Sequence, residues 1–177
     1  MADTWKASED VQELCNSLIT KYHSDLEQAR FIVVFSDTKP FNRDRLNFGK
    51  ATKFSQFNKL FQGTKYDYCL NVCADVWQSV LTDDHKEALI DLLISCCSPE
   101  YEAEVIVENG KKKTVKDEWG MVKYTNELKL DDDGDPKWLV MPLDIVAFVD
   151  NARRYGLWFE EYVGSINKDK NGMEENS

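Results

Sequence analysis

The alternation of apolar and polar residues along the chain predicts its helices. In the first, apolar side chains recur every three or four residues, as on one face of an α-helix; they are Val11, Leu14, Cys15, Leu18, Ile19 and Tyr22. Ser8 is placed to cap this helix, and Glu9 and Asp10 put negative charge in its first turn, which the helix dipole favours. The predicted helices are 9–28, 75–80, 83–97 and 142–156.

The helix predicted over 83–97 has an apolar stripe that would face the core, and Thr82 is placed to cap it. The stripe consists of Ala88, Leu89, Leu92, Leu93 and Cys96. Pro142 and Gly156 bound the last predicted helix, because proline suits the first turn of a helix and glycine the position directly after its end.

Short apolar runs and turn residues predict strands between these helices. Phe31 to Phe35 is an unbroken run of β-branched and aromatic residues, typical of a buried strand. Further strands are predicted over 47–54, 66–73, 100–107, 111–115 and 119–130. Asn109-Gly110 favours a two-residue hairpin turn, and Asp131 to Asp135 predicts another turn. The order predicts an α+β fold, with a small mixed or antiparallel sheet packed on a central helix.

Length and composition bound the class of protein. A chain of 177 residues with 42% hydrophobic residues is large enough to bury about 70% of its unfolded surface in one domain. We expect a single domain over 1–165 and a disordered polar tail over 166–177. The cysteines are odd in number and two are adjacent, which indicates free thiols in a reducing cytoplasm. Neither a signal peptide nor a membrane span is predicted.

The charge is strongly negative and unevenly distributed. A formal net charge of -10 disfavours direct binding to nucleic acid, whose phosphates it would repel. Residues 36–65 nevertheless carry seven basic and two acidic side chains, so the rest of the chain is more acidic still. Either an ordinary acidic protein has one basic edge, or an acidic face docks on a basic partner surface that normally holds DNA or RNA.

The stretch from Ala88 to Cys97 resembles the active-site helix of the phage metallopeptidases, a zincin-like family, in which this helix reads roughly A-L-L-D-H-E-L-x-H. In such a helix the two histidines bind zinc, and the glutamate acts as general base. Here Leu92, Leu93 and Cys96 occupy those three positions, and Leu143 occupies that of a third histidine ligand. The resemblance therefore implies a metallopeptidase scaffold without its metal or other cofactor, and a protein that is not an enzyme.

Other segments carry the same resemblance across roughly residues 10–162. They are Phe48 to Lys53, Tyr66 to Val72, Trp77 with Leu81 to Asp83, Pro136 to Leu139 and Asp144 to Trp158. The fold implied is a minimal zincin-like domain. The chain departs from the family pattern at about 98–128, where the predicted hairpin is an addition, either an interaction element or an ordinary solvated hairpin.

Two further groups of residues invite a metal interpretation. The run Asp131, Asp132, Asp133 and Asp135 lacks calcium-loop spacing, because Lys129 and Val140 occupy the first and last ligand positions. It is a solvated acidic turn or, as a candidate, a binding site for a basic partner. The thiols of Cys69, Cys73, Cys96 and Cys97 are expected to be buried and inert rather than zinc ligands.

The leading hypothesis is a phage-encoded, catalytically inactive protein in the host cytoplasm that acts by protein binding. Its acidic, DNA-mimicking surface would block a host defence or nucleic-acid-handling complex. Two alternatives stay open: an enzyme with a relocated metal or nucleophile site at Cys96 or Cys97, and a component of virion assembly. Oligomeric state and target are left undetermined by the sequence.

Overall fold

The computed structural model describes residues 3–37, 41–42, 45–46, 48–55, 58–59, 63–142 and 145–160. The strands are β1 (Thr4–Lys6), β2 (Phe31–Ser36), β3 (Phe41–Asn42), β4 (Arg45–Leu46), β5 (Gly49–Lys53), β6 (Tyr68–Cys73), β7 (Cys97–Pro99), β8 (Tyr101–Ala103), β9 (Val105–Glu108), β10 (Lys111–Thr114), β11 (Tyr124–Leu128) and β12 (Trp138–Val140). The helices are α1 (Glu9–Tyr22), α2 (Ala74–Ser79), α3 (Asp83–Ile94) and α4 (Ile145–Tyr155), with a 3₁₀ helix at Ser24–Leu26.

A four-stranded mixed sheet lies at the centre of the fold, in the order β1-β2-β6-β5. β2 runs parallel to β6, while β1 and β5 pair antiparallel with their neighbours. Every residue of β2 is buried, which explains its continuous apolar run. The predicted α+β class with a small mixed sheet is confirmed.

Helix α3 is the central helix and packs on α1, α4 and the sheet strands β5 and β6. Of its predicted stripe, Ala88, Leu89 and Leu93 are buried, whereas Leu92 and Cys96 are half-buried. The helix ends at Ile94, three residues earlier than predicted. The chain turns at Ser95 and Cys96 so that the next residue can enter β7.

The end of α1 also differs from the prediction. The helix stops at Tyr22, where His23 adopts φ -132° and ψ 54°, instead of continuing to residue 28. Polar side chains that compete with helical hydrogen bonds follow at Ser24 and Asp25, and they form the short 3₁₀ helix. This break places His23 beside the central helix.

Residues 97–140 form three two-stranded pairs outside the central sheet: β7 with β12, β8 with β11, and β9 with β10. The predicted hairpin turn is confirmed, with Asn109 at φ 52° and Gly110 at φ 76°, both positive as a type I′ turn requires. The strand predicted over 100–107 is divided at Glu104. The amide of Glu104 donates to the Lys123 carbonyl oxygen at 2.9 Å, while its carbonyl oxygen accepts from the Val115 amide.

The β7–β12 pair joins this region to the central sheet. The hydroxyl of Tyr68 in β6 lies 2.9 Å from the carbonyl oxygens of both Ser98 and Leu139. Lys53 in β5 donates to the carbonyl oxygen of Trp138 at 2.9 Å. The sheet and the added region are thus linked through main-chain acceptors.

The predicted end of the last helix is confirmed. Gly156 follows α4 at φ 73°, and its amide donates to the carbonyl oxygen of Ala152 at 2.8 Å. The predicted boundary at 165 and the tail over 166–177 lie outside the described residues. Among the residues that the structure describes, no helix has the length and apolar character needed to cross a membrane.

Candidate functional site

The positions that carry the metal ligands in the resembled helix lie in the second half of α3 and just after it. Thr82 caps this helix, its hydroxyl accepting from the His85 amide at 3.4 Å. Leu93 is 6% exposed and belongs to the hydrophobic core, while Leu92 packs against that core from a half-buried position. Neither leucine has a donor atom for a metal. Leu143, the position of the third ligand, lies outside the described residues.

Cys96, at the position of the family's second helix histidine, has a sulfur atom that could ligate a metal. Its thiol lies 3.6 Å from the carbonyl oxygen of Leu92, one turn earlier in the helix. Within the described part of the chain, no group of three or more His, Cys, Asp or Glu side chains could hold a metal ion. The residues present therefore do not fit the zinc ion of a zincin.

The neighbouring cysteines are unsuited to nucleophilic attack, since the thiolate is the reactive form. Burial raises the pKa of Cys97, as does its proximity to Cys96 and Cys15. Burial likewise raises the pKa of Cys15 to about 12. These two thiols stay protonated at neutral pH. Of the four cysteines predicted to be buried, Cys73 and Cys97 are buried, whereas Cys69 and Cys96 are half-buried.

The same helix presents a buried carboxylate, Asp91, which is 0% exposed. His23 Nε2 lies 2.9 Å from its Oδ1, and Asn151 Nδ2 and Arg154 Nη2 donate to its Oδ2 at 2.7 and 2.6 Å. Burial alone would raise the pKa of Asp91, but the hydrogen bonds from these three side chains outweigh it and hold the pKa below its usual value. The carboxylate is therefore charged and fully partnered.

A second layer of contacts surrounds this carboxylate cluster. Asn151 also donates to the carbonyl oxygen of Ala88 at 3.0 Å and accepts from Trp158 Nε1 at 2.9 Å. The Arg154 guanidinium lies over the ring of Tyr22, 4.7 Å from its centroid. The cluster ties the end of α1, the middle of α3 and the end of α4 together, so its role in this geometry is structural.

An open cleft of about 400 Å³ adjoins this cluster, and His23, Asp25, Ser95, Cys97 and Arg154 are among its lining residues. The side chains of His23 and Arg154 in this cleft both contact Asp91. These side chains are therefore engaged in contacts within the protein. The Cys97 thiol in this cleft lies 3.7 Å from the carbonyl oxygen of Leu93, and His23 contacts Asp91.

The acidic turn, Asp131 to Asp135, precedes β12 in the chain. The carboxylate of Asp131 accepts from the amides of Asp133 and Asp135 at 3.0 and 2.9 Å, which closes the turn. Asp131 is half-buried, whereas Asp132, Asp133 and Asp135 are exposed. Of the predicted partner-binding residues, Asp131 therefore shapes the turn, and the other three present carboxylates to solvent.

Asp131 also lines a cleft of about 290 Å³ together with Lys53, Lys59 and Lys137. The acidic turn thus borders a cleft lined by three lysines and by Glu100, and two of these lysines come from the basic segment 36–65. Lys59 is bound to Asp67, and Lys53 to the Trp138 carbonyl oxygen. The amines of these two lysines are therefore engaged in contacts within the protein.

Two buried carboxylates, Asp67 and Asp91, were not predicted from the sequence. Asp67 is 3% exposed; it accepts from the amide and the guanidinium of Arg30 and pairs with Lys59. Asp91 stands inside the apolar run of α3, where a charge needs a buried partner. A charged residue within an apolar run was the signal in the sequence that could have revealed Asp91 as a buried carboxylate. Its partners, however, come from distant segments of the chain.

A family model matches most of the chain. Residues 3–169 match the family model described as "Putative phage metallopeptidase". Neither a curated protein nor a solved structure matches the chain. Asp91, Arg154 and Trp158 stand in segments that carry the sequence resemblance. The chain belongs to the phage metallopeptidase family.

Proposed function

We propose that this chain is a catalytically inactive member of its family and acts by protein binding. The observation that carries the proposal is the packing at two positions of the family's site: Leu93, at the general-base position, is part of the core, and Leu92, at a ligand position, packs against it. Burying a leucine side chain contributes about 1.5–3 kcal/mol. Leucines at these positions stabilise the helix in its place, and the scaffold remains available for another use.

The proposed binding surface includes the acidic turn. Asp132, Asp133 and Asp135 are exposed on one short loop, in a chain with a formal net charge of -10. Such a surface attracts basic protein surfaces and repels nucleic acid directly. The partner we propose is a host defence or nucleic-acid-handling complex in the host cytoplasm, whose basic site would be occluded by an acidic mimic of DNA.

The test is an affinity pull-down of tagged protein from host lysate at low and high salt, analysed by mass spectrometry. We expect one dominant partner that is lost at high salt, since attraction between exposed charges is screened. The triple variant Asp132→Asn/Asp133→Asn/Asp135→Asn should lose it. A control with the same net charge, Glu13→Gln/Asp75→Asn/Asp84→Asn, neutralises exposed carboxylates on the helices and should keep it.

Capture that is insensitive to salt, or that both triple variants lose equally, contradicts the acidic-turn mechanism. The relocated-site alternative predicts stoichiometric metal or a reactive thiol, and the raised pKa of the buried Cys97 weighs against the latter. The virion alternative predicts that the protein copurifies with phage particles. Each alternative thus has a readout that differs from the pull-down.

A further inference from the structure

The hairpin of β9 and β10 is exposed along its whole length. All of its strand residues are exposed, and among the described residues each strand pairs only with the other. A two-stranded hairpin is marginally stable in water by itself. Apolar residues on this hairpin therefore have a role other than building the core of this chain.

The two edges of the hairpin differ in chemistry. β10 presents Lys111, Lys112 and Lys113, and lysines on an edge strand discourage pairing with another chain. β9 presents Val105, Ile106 and Val107, which are 47%, 44% and 69% exposed. These side chains are β-branched and favour strand pairing. The β9 edge is the edge suited to accept another strand.

The register shows which main-chain groups are available on that edge. Glu108 and Lys111 close the two-residue turn, and Ile106 lies opposite Lys113. In an antiparallel ladder, alternate residues direct their N–H and C=O groups at the partner strand. Ile106 and Glu108 therefore face β10, while Val105 and Val107 direct their main-chain groups away from it, toward the unpaired edge.

The charges that flank the apolar residues indicate the kind of strand that fits. Glu104 and Glu108 are exposed. Glu108 stands on the same face as Ile106 because side chains alternate along a strand, and Glu104 directly precedes β9, where its carbonyl oxygen accepts from the Val115 amide just after β10. Glu108 already pairs with a lysine of the neighbouring strand, at 3.2 Å from Lys113 Nζ. A basic residue of a strand added on the opposite side of β9 could pair with a glutamate in the same way.

A second copy of this chain fits this edge poorly in the register that aligns the two Ile106 residues. Antiparallel pairing of two β9 strands centred on Ile106 would set Glu104 of each copy opposite Glu108 of the other. Like charges directly opposite one another are destabilising in a sheet. The favoured occupant therefore carries basic residues where this chain carries glutamates.

We propose that the β9 edge binds, by strand addition, an extended protein segment in which three apolar residues stand between two basic ones. Main-chain hydrogen bonds from Val105 and Val107 hold the segment, and its basic residues set the register opposite Glu104 and Glu108. The inference rests on the proposed function, because it names the chemistry of a protein partner and a surface that contacts it.

The test is titration calorimetry of the full chain with a synthetic peptide that contains Lys-Val-Ile-Val-Lys, and with a matched peptide that has glutamate at both flanks. Val107→Pro removes an outward N–H from the β9 edge. Lys112→Pro removes one from the β10 edge, directly opposite in register. We expect V107P to weaken the basic-flanked peptide about tenfold, as for one lost hydrogen bond, and K112P to leave its affinity within about twofold.

A charge variant keeps the inference testable if V107P does not fold. Glu104→Lys, at an exposed position, should weaken the basic-flanked peptide and strengthen one with glutamate at that single flank. Equal effects of the two proline variants, or equal binding of both matched peptides by the unaltered chain, would overturn the inference. So would a dimer in sedimentation velocity that V107P converts to monomer, because the occupant would then be a second copy.

The two proposals fail separately. If the peptide does not bind but the lysate pull-down yields a salt-sensitive partner, the strand-addition inference is wrong and the proposed function stands. If the peptide binds as expected and no host partner is captured, the proposed function is wrong.

Discussion

At the scale of single residues, Asp91 connects the most distant parts of the described chain. Its carboxylate accepts hydrogen bonds from Asn151 and Arg154 on α4, and it pairs with His23 just after α1. An unpaired carboxylate in a core costs several kcal/mol, so these contacts are needed for α3 to be buried on more than one side. The neighbouring Leu92 and Leu93 have no such polar requirement.

Replacing Asp91 should be strongly destabilising. Asp91→Asn removes the charge that compensates Arg154, whose side chain is 22% exposed, and we expect the free energy of unfolding to fall by about 3 kcal/mol. Urea denaturation followed by circular dichroism measures it. Asp83→Asn is the control, because Asp83 pairs with Lys86 at the surface and its loss should cost less than about 1 kcal/mol. Equal losses would contradict a structural role for Asp91.

The buried carboxylates should also make stability depend on pH. Burial by itself raises the pKa of Asp67, but hydrogen bonds from Arg30 and Lys59 outweigh it, so its pKa is lowered, like that of Asp91. A lowered pKa means that the stabilisation is fully present above the unfolded value, about 3.9, and is lost as the pH falls through the folded value.

We therefore expect the free energy of unfolding to decrease from about pH 5 toward pH 3, and to decrease less steeply in D91N and in Asp67→Asn. Denaturation midpoints across this pH series, with D83N as the control for one surface carboxylate, provide the measurement. Parallel curves for all the variants would show that neither buried carboxylate carries the dependence.

At the scale of elements, Gly49 determines how closely β5 approaches β6. It adopts φ 143°, and a Cβ atom there would overlap the carbonyl oxygen of Asn71 and crowd Val72 Cα. Both obstacles are main-chain atoms of the paired strand, so a side chain can enter only if the strands separate.

Gly49→Ala should therefore lower the free energy of unfolding by more than backbone strain alone. Gly120→Ala is the matched control, because Gly120 also has a positive φ, at 80°, and has open space where a Cβ would stand. Strain of this kind costs about 1–2 kcal/mol, and we expect G49A to exceed G120A by at least about 1 kcal/mol. Thermal unfolding of both variants compares them; similar losses would contradict the close strand contact.

The elements that were predicted correctly from the sequence are those whose conformation is set by residues at the turn or helix end itself. The hairpin at Asn109-Gly110 and the end of α4 at Gly156 follow from the conformations that glycine and asparagine allow. The division of a strand at Glu104 depends on a hydrogen bond to Lys123, which no local pattern specifies. The partners of Asp91 are 60–68 residues away in the chain, so its cluster was beyond prediction from one sequence.

At the scale of the whole molecule, core and exposed apolar surface are spatially separated. The core gathers around α3 and the central sheet, while many of the large exposed apolar side chains lie in the added region, among them Val107, Trp119, Met121 and Tyr124. These residues belong to the stretch of the chain that departs from the family pattern. The family scaffold thus supports a surface on which the proposed binding depends.

The central claim is that the positions of the family's zinc ligands and general base no longer hold a metal, with leucines that pack in or against the core at two of them. Zinc content per chain, measured by elemental mass spectrometry on protein equilibrated with zinc and then dialysed, tests it most directly, with Cys96→Ser and Cys69→Ser as variants. We predict zinc far below stoichiometric in the unaltered chain and in both variants. Stoichiometric zinc that C96S loses and C69S retains would contradict the claim.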